Sequence, residues 1–217
     1  MDTNEHKNQK IEEAFEGIKT RYEAVFRMFQ PRIGSIGYTE RNQTCNFCAA
    51  FLHNNIGSVA WYEYPFNNQE HVDAVILDPS DDYLYFIEAK RYNKPKQSSA
   101  IRDDIERCIK HEAEIRGRIG NEYGKAIQRV FVVVLADIWE EDPIKKHWNK
   151  EYWMCWNKEG KQLADREGDL LTDKINKILP SPQYKPCFCY TEFPPVKETY
   201  KDKSLGQYKL LCVYAEI

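Results

Sequence analysis

His71-Val72-Asp73-Ala74-Val75-Ile76-Leu77 and Tyr85-Phe86-Ile87-Glu88-Ala89-Lys90 are two apolar, strand-like runs set either side of a short polar gap. One acid interrupts the first run, and an acid-x-lysine triplet closes the second. The gap holds Asp78-Pro79-Ser80-Asp81-Asp82, whose Asp, Pro and Ser content predicts a turn. Residues two apart in a strand share a face, so Glu88 and Lys90 point one way while Tyr85, Ile87 and Ala89 point the other. Charges placed in an apolar strand are costly unless something compensates them. A hard divalent cation with oxygen ligands and retained waters would compensate two converging carboxylates.

The flanking segments read as a regular alternation of elements. Upstream, Thr39 suits a helix N-cap, Glu40 its first turn, and Asn55 with Gly57 its stop. Cys45, Cys48, Ala49, Leu52 and Ile56 fall at i, i+3, i+4, i+7 and i+11 and predict the apolar stripe of that helix. Residues 58–65 have the aromatic and β-branched content of a strand. Downstream, Ser98 and Ser99 predict the cap of a second helix, with Asp103 and Asp104 in its first turn. Ile101, Ile105, Cys108, Ile109 and Ile115 supply its stripe. Residues 129–136 form a continuous apolar run, expected of a strand buried on both faces. The expected class is α/β (α+β), with a mixed central sheet flanked by helices and the order helix, three strands, helix, strand.

Asp73…Glu88-Ala89-Lys90 resembles the signature of the PD-(D/E)xK phosphodiesterase superfamily, and the αβββαβ order over residues 38–137 is similar to its restriction-endonuclease-like core. Val72 stands where the signature has proline, which is not a ligand. The resemblance implies a metal-dependent nuclease. Mg²⁺ or Mn²⁺, as one or two ions, would be held by Asp73, Glu88 and the Ala89 carbonyl, and Lys90 would position or activate the attacking water. Glu40-Arg41 is similar to the Glu-Arg near the first core helix of Holliday-junction resolvases, which makes Glu40 a fourth catalytic and metal-binding candidate. The bland reading of Glu40 is an acid interacting with the helix dipole, worth about 0.3–1 kcal/mol.

The segment from Lys90 to Lys96 carries four cations and no acid, and leaves the end of the second strand. With Arg41, its Arg91, Lys94 and Lys96 are candidates for phosphate contacts beside the site; as a solvated loop it would be unremarkable. Arg102 lies early in the second helix with no fixed direction. His71 shares a strand face with Asp73, and Glu63 with Trp61, so both are candidates to support the acids from behind. Among the seven cysteines, Cys45-x-x-Cys48 and Cys187-x-Cys189 are close pairs, but a helix stripe and a strand explain them as small buried hydrophobes.

At 217 residues the chain is expected to form a single domain: an N-terminal helix over residues 1–31, the core over 38–137 and an extension over 138–217 packed on it. Ile11, Phe15, Ile18, Tyr22, Val25, Phe26 and Phe29 mark the N-terminal helix, ending near Gln30-Pro31. In the extension, residues 170–179 read as a helix and residues 186–192 and 209–215 as strands, with Trp139, Trp148, Trp153 and Trp156 as anchors. Mean hydropathy is −0.71, and no apolar run is long enough to span a bilayer. The polar N-terminus lacks a secretion signal, so a cytoplasmic location is expected. A formal net charge of −3 argues against coating nucleic acid through bulk charge but not against a local basic lip. The leading expectation is a phosphodiesterase acting on nucleic acid, in the first place a DNA endonuclease, with a homodimer as one assembly suited to two strands. Two alternatives stand beside it: a nuclease-like module that binds nucleic acid or protein without cutting, and a metal-dependent hydrolase of a small phosphate ester.

Overall fold

The computed structural model describes residues 8–29, 39–67, 69–91, 97–140, 186–193 and 207–217. The elements run α1 (Gln9–Phe29), α2 (Glu40–Asn54), β1 (Val59–Pro65), β2 (His71–Asp78), β3 (Tyr83–Arg91), α3 (Gln97–Tyr123), β4 (Arg129–Glu140), β5 (Cys187–Glu192) and β6 (Gln207–Glu216). The strands form one mixed sheet in the order β1-β2-β3-β4-β6-β5. Among the described strands only β3 and β4 pair in parallel, and α3 makes the crossover that a parallel pair requires. β1, β2 and β3 form an antiparallel meander, and β6 and β5 extend the sheet antiparallel to β4.

The alternation of β3 and β4 explains the layers. Leu84, Phe86, Val130, Val132 and Val134 pack with Ile101, Ile105, Cys108 and Ile115 of α3. Tyr85, Ile87, Phe131, Val133 and Leu135 pack on the other face with Phe15, Ile18 and Tyr22 of α1 and Phe47 and Phe51 of α2. A strand apolar on both faces is therefore sandwiched between helices, as the run at residues 129–136 predicts. No helix among the described residues is long and apolar enough to cross a membrane.

Several expectations need correcting. The buried face of α2 is Gln43, Thr44, Phe47, Cys48, Ala50 and Phe51, while Cys45 is exposed and Ile56 lies beyond the helix in solvent. The large rings decide this: Phe47 and Phe51 bury more apolar area than the small residues counted in the stripe, and Phe51 packs edge-on to Tyr85 at 4.8 Å. Thr39 takes the extended N-cap conformation but makes no side-chain cap bond. α3 starts at Gln97, so Ser98 and Ser99 lie within it rather than ahead of it, and no acid falls in its first turn. The helix expected at residues 170–179 lies outside the described residues, as do Trp148, Trp153, Trp156, Lys94 and Lys96.

Candidate active site

The sheet's ladders lapse at one place. β1 pairs with β2 through Tyr62↔Ala74 and Tyr64↔Val72, and the register passes over Glu63 and Asp73 between them. Glu63 has φ +52°, in the left-handed region that residues other than glycine rarely occupy. β2 pairs with β3 from Asp78↔Tyr83 up to Ala74↔Ile87, and the pairs stop short of Asp73. Beyond that point the Ala89 N–H donates to Asp73 Oδ2 at 2.8 Å, so a carboxylate takes the place of a strand carbonyl. Val72 packs toward α3 and Ala74 toward α2, although regular alternation would put both on one face. The chain is twisted at Asp73, and the acid lies in the opening.

The Glu88 side chain points toward α3, as strand alternation requires, and is 1% exposed. Its Oε1 accepts from Arg107 Nη2 at 2.7 Å. Burial, with the nearby charges of Asp104 and Asp73, pushes the Glu88 carboxyl up to about 8, against the pull of Arg107. Burial also holds Asp73 above its ordinary value; Glu40 and Glu63 add to this, and the Ala89 N–H and Lys90 oppose it. Lys90 Nζ lies 3.0 Å from Asp104 Oδ2. Burial disfavours its charge, but Asp104, Glu88 and Glu40 outweigh that and hold Lys90 above its ordinary value. Glu40, at the first position of α2, accepts from the Arg91 N–H at 2.9 Å. Asp73, Glu88, Lys90 and Glu40 thus form one electrostatic cluster at the end of the parallel β3–β4 pair.

The neighbouring residues divide. Thr39, Glu40, Arg41, Thr44, Cys45, Tyr62, Glu63 and Asp73 line an open cleft of about 650 Å³. Arg41 is exposed there and lies 3.4 Å from Glu63. His71 Nε2 lies 2.9 Å from the other Glu63 oxygen, so His71 and Glu63 pair with each other at the cleft rim. Trp61 packs edge-on to Tyr64 at 5.8 Å; the left-handed turn at Glu63 breaks the shared face expected for Trp61 and Glu63. Arg91 departs from expectation: its guanidinium is turned inward, with Nε 4.0 Å from Asp137, on the sheet face opposite Lys90. Arg102 is exposed and engages Asp103 and Glu106 of its own helix.

Two buried acids, Asp104 and Asp137, and the partly buried Arg107 are not singled out as site residues in the sequence. Asp104 and Arg107 come from α3, and their ion pair is 2.7 Å long. Asp137 is the first acid after the apolar run of β4; burial pushes it up to about 7, with Arg91, Tyr208 and Gln43 pulling the other way. The signal for Asp104 was present, since it stands three residues after Ile101, at a stripe position of an amphipathic helix. Among the described residues, no three His, Cys, Asp or Glu side chains already stand as a metal cage. No family model, curated protein or solved structure matches the chain.

Proposed function

We propose that this protein is a divalent-metal-dependent phosphodiesterase of the restriction-endonuclease-like class, acting on nucleic acid and in the first place on DNA. The observation that carries the reading is the break in the sheet at Asp73. It brings one acid against the Glu88–Lys90 segment, where a second buried acid and a cation already stand. The αβββαβ order and the mixed sheet agree with that fold class.

The donor set fits Mg²⁺ or Mn²⁺. Asp73, Glu88, Glu40 and the Ala89 carbonyl offer only oxygen, the ligand type that hard cations take. Mg²⁺ keeps several waters and uses one or two protein carboxylates, so not all of these donors need bind one ion. A raised Glu88 and a raised Asp73 are carboxylates short of positive charge, which a cation would supply. When bound, such an ion polarises a phosphoryl oxygen and acidifies water. The chain's own contributions are separate. Lys90, held as a cation, orients a water and offsets charge developing on the phosphate. Arg41 at the cleft mouth contacts a flanking phosphate, while the inward Arg91 steadies the end of β3 instead.

The test is cleavage of supercoiled, linear, branched and single-stranded DNA and of RNA with Mg²⁺ or Mn²⁺, by the parent beside Asp73→Asn and Lys90→Met. Each variant is expected to lose on the order of 10²–10³ in rate while melting as the parent does. Cleavage undiminished in both would refute the reading. A second reading, binding without cutting, draws on the engagement of Glu88 by Arg107 and Lys90 by Asp104; tight binding of nucleic acid without hydrolysis under every condition would favour it.

A further inference from the structure

Asp104 and Arg107 join the two functional groups of β3 from outside the strand. Asp104 is 4% exposed and lies within reach of two cations. Its Oδ2 is 3.0 Å from Lys90 Nζ, and its Oδ1 is 2.7 Å from Arg107 Nη2. The same Arg107 nitrogen donates to Glu88 Oε1 at 2.7 Å. The chain of contacts Lys90–Asp104–Arg107–Glu88 therefore closes on one strand segment, with β3 supplying its two ends and α3 its middle. Acidic and basic side chains alternate along it, so the buried Asp104 and Glu88 each have a basic neighbour. Lys and Glu side chains have much rotamer freedom to lose, and these contacts remove it at the position where chemistry needs it removed.

We propose that Asp104 and Arg107 are positioning residues of this site: α3, not β3 alone, sets where the Lys90 ammonium and the Glu88 carboxylate point. The proposal rests on the phosphodiesterase reading for its consequence but not for its geometry. Asp104 has no contact with substrate to make from beneath Lys90, so its loss acts through Lys90. Arg107 likewise acts through Glu88. This also assigns a purpose to a charged residue in the apolar stripe of α3, which packing alone would exclude.

The experiment compares the parent with Asp104→Asn, Asp104→Glu and, as a neighbouring control, Asp103→Asn, whose side chain is exposed. Two readouts are taken: steady-state cleavage, and the ¹⁵N-lysine ammonium signals of the folded protein. In Asp104→Asn, kcat is expected to fall about 10–100-fold with KM near that of the parent and the melting temperature lowered, since two cations lose their shared anion. Asp104→Glu is expected to recover part of the loss, and Asp103→Asn to lose nothing. The slowly exchanging Lys90 ammonium signal, assigned by its absence in Lys90→Met, is expected to vanish in Asp104→Asn. A parent-like kcat in Asp104→Asn would overturn the proposal. If the parent cleaves no substrate, the phosphodiesterase reading falls by itself; the ammonium signal then decides, and its persistence in Asp104→Asn would overturn the positioning role.

Discussion

Glu88 shows what a buried acid costs and when. Its carboxyl is held at about 8 against an ordinary 4.5. Between those values the native chain holds a proton that the unfolded chain has released, so stability falls as pH rises. The contribution of Glu88 is fully present below pH 4.5 and is lost as pH passes through about 8. Glu88→Gln keeps the shape and removes the titration. Thermal melts at pH 5.5 and pH 8 are expected to show the variant gaining more on the parent at the higher pH, and cleavage, on the phosphodiesterase reading, is expected to be abolished at both. A gain of equal size at both pH values would mean that Glu88 is not the group responsible. Asp137, pushed up to about 7 by burial, slopes the same way, so some pH dependence is expected to survive in the variant.

At the scale of elements, the close approach of α1 and α2 sets the position of Glu40. A Cβ built on Gly17 would come within 2.7 Å of the Ala50 Cβ. Neither atom belongs to a flexible side chain, so the helices would have to part. Gly17→Ala gains about 1 kcal/mol in helix propensity but is expected to lose ~1–3 kcal/mol to overpacking. The net loss should appear in urea denaturation, and Ala50→Gly in the same chain should relieve it. A stabilised Gly17→Ala would show that the helices do not touch there. Legibility in the sequence follows the same division. β3, β4 and the face of α3 could be read because strand alternation and helical period are local properties. The nearness of Asp73, Glu88, Lys90 and Glu40 is expected from a motif resemblance rather than from periodicity, and the fold brings the four into one electrostatic cluster. The face of α2 could not be read, because its choice depends on which rings fit Tyr85 across the interface. The inward turn of Arg91 could not, because its partner Asp137 comes from a strand brought alongside by a long crossover.

At the scale of the whole molecule, α1 is bonded to β6 and to the sheet. The Asn8 N–H donates to the Tyr214 hydroxyl at 3.2 Å, and that hydroxyl donates to Glu12 at 2.9 Å. Asn8 also reaches the Tyr85 hydroxyl at 3.3 Å, and Lys10 is ion-paired to Asp78 at the end of β2. The first helix is thus tied to the last strand and to the middle of the sheet. Tyr214→Phe leaves the ring in place and removes the hydroxyl between α1 and β6. It is expected to lower stability by about 1–3 kcal/mol in denaturant titration and to raise hydrogen exchange along α1. Unchanged exchange there would show that the tie contributes nothing.

Asp73 stands where a backbone carbonyl would otherwise answer the Ala89 N–H, and this bears on how the chain can diverge. Folding alone asks for an acceptor of that reach at that point, a demand that aspartate or asparagine meets and alanine does not. Whatever the chain's activity, a descendant would still be selected to keep Asp or Asn there, to hold its sheet together. Persistence of this acid in a lineage is therefore poor testimony to any activity, and the Lys90 side chain, which the ladder does not need, would be the better witness.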